Sequence, residues 1–256
     1  MQRNIALLYF FRVARTFALF VPIIVPFYQE NGLNQTQIFI LQSLFAVTIV
    51  LLEVPSGYFA DSIVSRQSIL LVATLSTVGF GLYSISFGIY PLLFAEIFLG
   101  AGYSFISGAD TALAYDSFAA RGEQDRYLRF ESRSSGYMGM SEGVASILGG
   151  FLAVLSLRVP LIAQAMVYSM SIPLAWCLVE PPRVKSATRH PWKNILRITA
   201  YALHGHREIK WFILYGATMG TLTHTMVWLT QPYYQWVGVP LAWFGILWAC
   251  LLYTSD

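Results

Sequence analysis

The sequence predicts an all-α, polytopic membrane protein, and three observations carry that prediction. Of its 256 residues, 56% are hydrophobic and only 11% are charged. That is too little charge to cover a soluble surface of this size, but enough for the loops of a helical bundle. The apolar residues gather into runs of about 20, the length that crosses a hydrocarbon core of roughly 30 Å at about 1.5 Å per helical residue. Lys and Arg fall mostly in alternate loops, the asymmetry expected of inserted helices.

Ile5 to Phe27 is the first run. Arg12 and Arg15 interrupt it and no small-residue cleavage site follows Phe27, so it is read as a retained helix rather than a removed leader. A polar turn, Glu30 to Gln35, leads to the second run, Thr36 to Phe59, in which Pro55 and Gly57 are expected to break the helix. Ser68 to Phe87 is the third. The turn Gly88 to Pro91 opens the fourth, Leu92 to about Phe118, and a charged loop, Arg121 to Arg133, precedes the glycine-rich fifth, Ser134 to Leu155. Val159 to Val179 is the sixth, Trp211 to Gln231 the seventh, and Leu241 to Tyr253 begins an eighth. That last run gives only about 20 Å of helix, short of the bilayer core, so the chain is expected to be the first part of a longer protein. Whether the closing CLLYTSD is native is left open. Three regions result: residues 1–180, a six-helix half; residues 181–210, a linker; and residues 211–256, the start of a second half. In the linker Trp192, Ile195, Leu196, Thr199 and Leu203 share a helical face. This fits either a helix on the membrane surface or a solvated segment with incidental periodicity.

One set of loops holds Arg3; Arg66; Arg121, Arg126, Arg129 and Arg133; and Arg183, Lys185, Arg189, Lys193, Arg197, Arg207 and Lys210, whereas the other holds only Arg158. The positive-inside rule therefore puts the amino terminus in the cytoplasm. Cys177 and Cys250 lie in apolar runs and read as core residues, with no disulfide framework or metal site. There is no phosphate-cradling glycine loop, no metal-spaced cluster and no nucleophile with its base, so neither an enzyme nor a cofactor is expected. No basic patch is interleaved with aromatics for nucleic acid.

Charges inside the runs are the candidate functional residues, because an ionised group in hydrocarbon is costly and faces a partner or a wet cavity. At about 1.5 Å per residue from the cytoplasmic ends, Arg12, Glu53, Asp110 and Glu142 fall roughly 9 to 12 Å deep, with Arg15 at about 15 Å. Arg12 or Arg15 is expected to pair with Asp110, with Glu142 or Glu53 adjoining. The layer is either a structural ion network or a coupling and substrate site. Glu96 reads as a rim residue, His224 as a hydrogen-bonded interface histidine rather than a titrating one, and Tyr233, Tyr234 and Trp236 as an interfacial aromatic belt.

Gly57, Asp61 and Arg66 in GYFADSIVSRQ resemble the loop between the second and third helices of the major facilitator superfamily. That pattern runs glycine, three residues, aspartate, a basic residue, any residue, glycine and two basic residues; Ser62, Val64 and Ser65 depart from it here. The resemblance implies that Gly57, Asp61 and Arg66 form a gating loop. Gly136, Gly139, Gly143, Gly149 and Gly150 resemble the antiporter motif of the same superfamily, with Val144 where that motif has proline. Helix packing explains small residues at this density without invoking transport. EVPSGYFAD together with GADTALAYDS is similar to the drug-efflux-related and largely uncharacterised members.

The resemblance implies a six-helix bundle plus the start of a second, in a bacterial-type plasma membrane. It implies secondary transport of a small organic solute by alternating access, with protons as the coupling partner and export as the direction. Proton-coupled uptake, and a non-transporting receptor or scaffold of the same fold, are the alternatives.

Overall fold

Backbone polar groups that cross hydrocarbon must be satisfied within the chain, and among the described residues all regular structure is helical. The computed structural model describes residues 2–62, 65–106, 109–181, 201 and 205–254; the side chains at 2, 54, 55, 57–62, 65 and 254 lie outside that description. The helices are α1 (Gln2–Thr16), α2 (Ile24–Glu30), α3 (Gln35–Ser62), α4 (Ser65–Ile85), α5 (Ile89–Ile106), α6 (Ala109–Ala119), α7 (Tyr127–Leu155), α8 (Val159–Trp176), α9 (Arg207–Val237) and α10 (Leu241–Thr254). Short 3-10 turns at Val21–Ile23 and Gln124–Arg126 precede α2 and α7. Among the described residues six segments are long and apolar enough to cross a membrane: Arg3–Glu30, Gln35–Glu53, Arg66–Ile85, Ile89–Ala119, Gln124–Leu155 and Val159–Trp176.

The chain divides into two units, Met1–Val184 with Val239–Asp256, and Lys185–Gly238. In the first, α4 packs against α5 and α8, α3 against α5, and α10 along α7. Leu8, Phe11, Ile69, Val72, Leu113, Phe118, Phe130 and Leu178 fill a core where α1, α4, α6, α7 and the end of α8 converge. Large apolar side chains also point outward, Phe10, Val50, Phe94 and Val154 among them. This is the distribution expected of a protein whose solvent is lipid.

Two polar knots tie opposite ends of this bundle. At one, Asn4 is fully buried: its amide nitrogen donates to Ser117 Oγ at 3.2 Å and the Val179 carbonyl at 2.5 Å, while its Oδ1 accepts from the Val179 N–H at 3.0 Å. At the same end the Arg66 N–H, in the first turn of α4, donates to the Glu180 carboxylate at 3.1 Å. An anion at a helix N-terminus satisfies a free donor and opposes the helix dipole. At the other end Arg158 donates to the Ser84 carbonyl at 3.0 Å and to Asn31 Oδ1 at 3.1 Å, with its guanidinium 4.1 Å from the Phe87 ring centroid.

Several sequence expectations are corrected. The first run is not one helix: α1 ends at Thr16 and the chain restarts at Val21–Ile23, a 3-10 turn in which Pro22 takes a first-turn position where its missing N–H costs no helical bond. The freed groups are met from neighbouring helices. The Leu19 N–H donates to Gln164 Oε1 at 2.9 Å and the Tyr168 hydroxyl donates to the Arg15 carbonyl at 3.3 Å, while Ser141 Oγ adds a bond at 2.9 Å to the Val13 carbonyl, which still accepts the Phe17 N–H. Conversely, α3 runs through Pro55 and Gly57 to Ser62, a tolerance that membrane helices have. The loop expected at Arg121 to Arg133 is shorter, because α7 starts at Tyr127. Helix formation there follows backbone hydrogen bonding and not hydropathy, so charged residues continue the helix beyond its apolar part.

Cys177 and Cys250 are exposed and not in the core; a lipid-facing surface accepts a small apolar side chain as readily as an interior does. In the second unit, α9 is 31 residues long but is not among the six spans, its Thr, Tyr, Trp and His content lowering the hydropathy of the expected seventh. There His224 accepts from the Trp228 indole N–H at 3.3 Å. The amphipathic pattern from Trp192 to Leu203 lies outside the described residues.

Candidate functional site: a charged cavity inside the bundle

A cavity of about 420 Å³ opens between α1, α3, α5, α6 and α7, and charged side chains line it. Arg12 sits on the inward face of α1, 3% exposed. Its Nε donates to Asp110 Oδ2 at 3.1 Å, and its two terminal nitrogens donate to the two carboxylate oxygens of Glu131 at 2.8 and 2.9 Å. The planar guanidinium fork is suited to this division, a bidentate pair on one side and a single bond on the other. The guanidinium also lies 4.9 Å from the Phe130 ring centroid. Asp110 is in the first turn of α6, and its Oδ1 accepts the Thr111 N–H at 2.8 Å. Both oxygens are thereby occupied. Asp110 is buried, whereas the Glu131 side chain, which also lines the cavity, is one-third exposed.

Arg15 and Glu53 line the same cavity, with Tyr103 and Ser104 of α5 and Ser135 of α7. Among the described residues no carboxylate lies within 4 Å of Arg15. Ser56 bridges α3 and α5, its Oγ within 2.9 Å of the Glu53 and Ser104 carbonyls, which fixes the wall that Glu53 occupies.

Four of the five charges expected in the buried layer line one cavity, Arg12, Arg15, Glu53 and Asp110, but only Arg12 and Asp110 are buried; Arg15 is half-buried and Glu53 is exposed. Glu142 does not line it; it is half-buried on α7, beside Trp248 of α10. A depth counted from Ser134 misplaces it, since the true start at Tyr127 moves it about 10 Å further along the helix at 1.5 Å per residue. Glu131 takes the place expected for it. Sequence reasoning misses Glu131 because it falls in the charged stretch assigned to a loop. The signal is present: Glu131, Ser135, Met138 and Glu142 recur at helical spacing on one face, and Phe130 continues the buried series Ser134, Ser141, Ala145.

Of the gating-loop residues, the side chains of Gly57 and Asp61 lie outside the described residues. Arg66 stacks 5.9 Å from the Trp176 ring centroid while its backbone meets Glu180. Of the glycines, a Cβ at Gly149 would stand 1.9 Å from the Leu19 carbonyl oxygen, and one at Gly150 would stand 3.0 Å from the Ala242 carbonyl oxygen. Among the described residues a Cβ at Gly136, Gly139 or Gly143 would meet nothing within 4 Å, so the close packing expected of them is not found there. Glu96 is buried at 3% exposure and is not a rim residue, since Tyr28 and Tyr83 cover it.

Among curated proteins none matches the chain. Among solved structures it is similar to the nucleoside transporter NupG, at 10% identity and a TM-score of 0.74, over 97% of this chain and 63% of that one. It is similar to a bacterial homologue of the human lysosomal transporter Spinster, in an inward-facing and unoccupied conformation, at 16% identity and a TM-score of 0.72, over 98% and 58%. A POT family transporter in complex with a thioalcohol-conjugated peptide follows at 14% identity and a TM-score of 0.55, over 94% and 52%. The chain therefore spans between half and two-thirds of the length of these relatives, and at such identities the likeness is one of fold. The family model of the Major Facilitator Superfamily matches residues 5–254. With a match across nearly the whole chain, and a multi-pass helical bundle around a charged cavity, this protein belongs to the Major Facilitator Superfamily.

Proposed function

We propose that the protein contributes the first six-helix half, the linker and the start of the second half of a secondary transporter that moves a small organic solute by alternating access. The observation that carries this reading is the cavity: Arg12, Arg15, Glu53, Asp110 and Glu131 line one space inside a membrane bundle. A packed apolar interior would be the cheaper arrangement if the bundle served only as a scaffold. The cavity carries both Arg15, a cation without a carboxylate neighbour among the described residues, and a part-exposed acid, Glu131, so it suits a polar or charged organic solute. The relatives of the same fold include transporters of nucleosides.

Proton coupling is assigned to Asp110, and export is the direction, with the amino terminus cytoplasmic in a bacterial-type plasma membrane. Gly57, Asp61 and Arg66 act as the gating loop at the end where Arg66 meets Glu180. The test is a substrate panel assayed in vesicles that contain the full-length protein, with proton gradients imposed in each direction. Solute movement opposite to the proton gradient supports export by exchange. Movement with protons establishes uptake by symport, and no gradient-dependent flux of any solute overturns the transport reading.

A further inference from the structure

A second polar cluster is buried in the bundle and shares no residue with the lining of the Arg12 cavity, and nothing in the proposed transport mechanism uses it. Glu96 of α5 is 3% exposed, Tyr28 of α2 1%, and Tyr83 of α4 2%. Five contacts join these three groups and Gln42 of α3. The two phenol oxygens are 2.6 Å apart; Glu96 Oε1 lies 2.9 Å from the Tyr28 hydroxyl and 2.6 Å from that of Tyr83; and Gln42 Nε2 lies 3.0 Å from the same Oε1 and 3.2 Å from the Tyr28 hydroxyl. The phenol oxygens and Oε1 form a closed triangle.

Each hydrogen bond needs its own proton, so the contacts can be compared with the protons present. The Gln42 amide has two and each phenol has one. Four protons cannot serve five contacts. With Glu96 ionised, one edge of the triangle must bring two oxygens together with only lone pairs between them, at 2.9 Å or less. A proton on Oε1 supplies the fifth. The triangle then closes as a ring in which Glu96, Tyr28 and Tyr83 each donate once and accept once, an arrangement that strengthens its members cooperatively.

The surroundings agree with a neutral acid. The elements packed over Glu96 contribute Gln42 from α3, Tyr83 from α4 and Tyr28 from α2, and among the described residues no Lys, Arg or His lies within 4 Å of it. Arg158, the basic residue at this end of the bundle, donates instead to Asn31 and Ser84. An ionised carboxylate out of water without a cation is among the costliest groups a protein can bury.

We infer that Glu96 is a proton-binding site that holds its proton in this conformation, and that the bound proton completes a four-helix latch joining α2, α3, α4 and α5. The site is distinct from the Arg12 cavity, and the inference does not rest on the transport reading. Release of the proton into water would leave an unfilled edge in the triangle and loosen this end of the bundle.

Infrared spectroscopy of the complete chain, purified in detergent at neutral pH, tests it. The wild type should show the carbonyl stretch of a protonated carboxyl group, and Glu96→Gln should lose that band; because neither atom of an amide can both donate and accept, Gln leaves one of the contacts on Oε1 unmade, and its thermal midpoint should fall by less than that of Glu96→Leu. Glu96→Leu, which cannot join the ring, should lower the midpoint. Should the Gln variant not be recovered, Glu96→Asp is expected to shift the band's frequency. A wild type without the band, a band unmoved by Gln or Asp, or a Gln variant destabilised as much as Leu would each overturn the inference.

Discussion

Arg12 holds two carboxylates at once, and the consequences of losing either differ. Removing the guanidinium leaves Asp110 buried and unpaired, and breaking a buried ion pair from one side costs about 3–5 kcal/mol. Arg12→Ala is therefore expected to lower the unfolding midpoint strongly in detergent, and Asp110→Asn to do so less, since the Arg12 fork remains on Glu131. In the double variant a neutral amide stands where the carboxylate would be stranded, so its midpoint should recover part of the Arg12→Ala loss; simple addition of the two losses would show that the groups are not coupled. Arg12 and Asp110 were legible in the sequence because each charge interrupts an apolar run at a depth that can be counted. Glu131 and Glu142 were misplaced for a single reason: a helix that continues past its apolar part has no hydropathic boundary, and an error of seven residues at Tyr127 propagates along the whole of α7.

At the scale of the element, the broken first span is the feature that organises its neighbours. The stretch from Phe17 to Phe20 is not helical, and α8 and α7 compensate, with Gln164 accepting the Leu19 N–H and Gly149 making room for the Leu19 carbonyl. Gln164→Leu strands a buried backbone donor and should cost about 1–3 kcal/mol. Gly149→Ala must displace backbone and should cost about 1–3 kcal/mol or more. Gly143→Ala meets open space and should be neutral or gain about 0.5–1 kcal/mol, the helix preference for alanine. Thermal unfolding of the three variants in one detergent separates these outcomes. Pro22 was visible in the sequence, but its effect was not. Whether a proline breaks a membrane helix depends on what receives the freed groups, and a chain reading does not show that: α1 stops before Pro22, whereas α3 passes through Pro55.

For the whole molecule, composition and the spacing of apolar runs were enough to give six spans among the described residues, because lipid permits so few arrangements of an unpaired backbone, whereas the family was legible only through the resemblance that Gly57, Asp61 and Arg66 carry. Orientation is a proposal that rests on Lys and Arg counts. With Cys177 and Cys250 replaced, Ser156→Cys should react with a membrane-impermeant thiol reagent on intact cells, and Gln124→Cys only after permeabilisation; the reverse pattern would invert the topology.

The central claim is that the Arg12 cavity couples protons to solute movement through Asp110. The measurement that tests it most directly is solute flux driven by an imposed proton gradient, in vesicles holding full-length protein with Asp110→Asn. The proposal predicts that proton-dependent flux is lost while membrane insertion is unchanged. Flux equal to that of the wild type would contradict it.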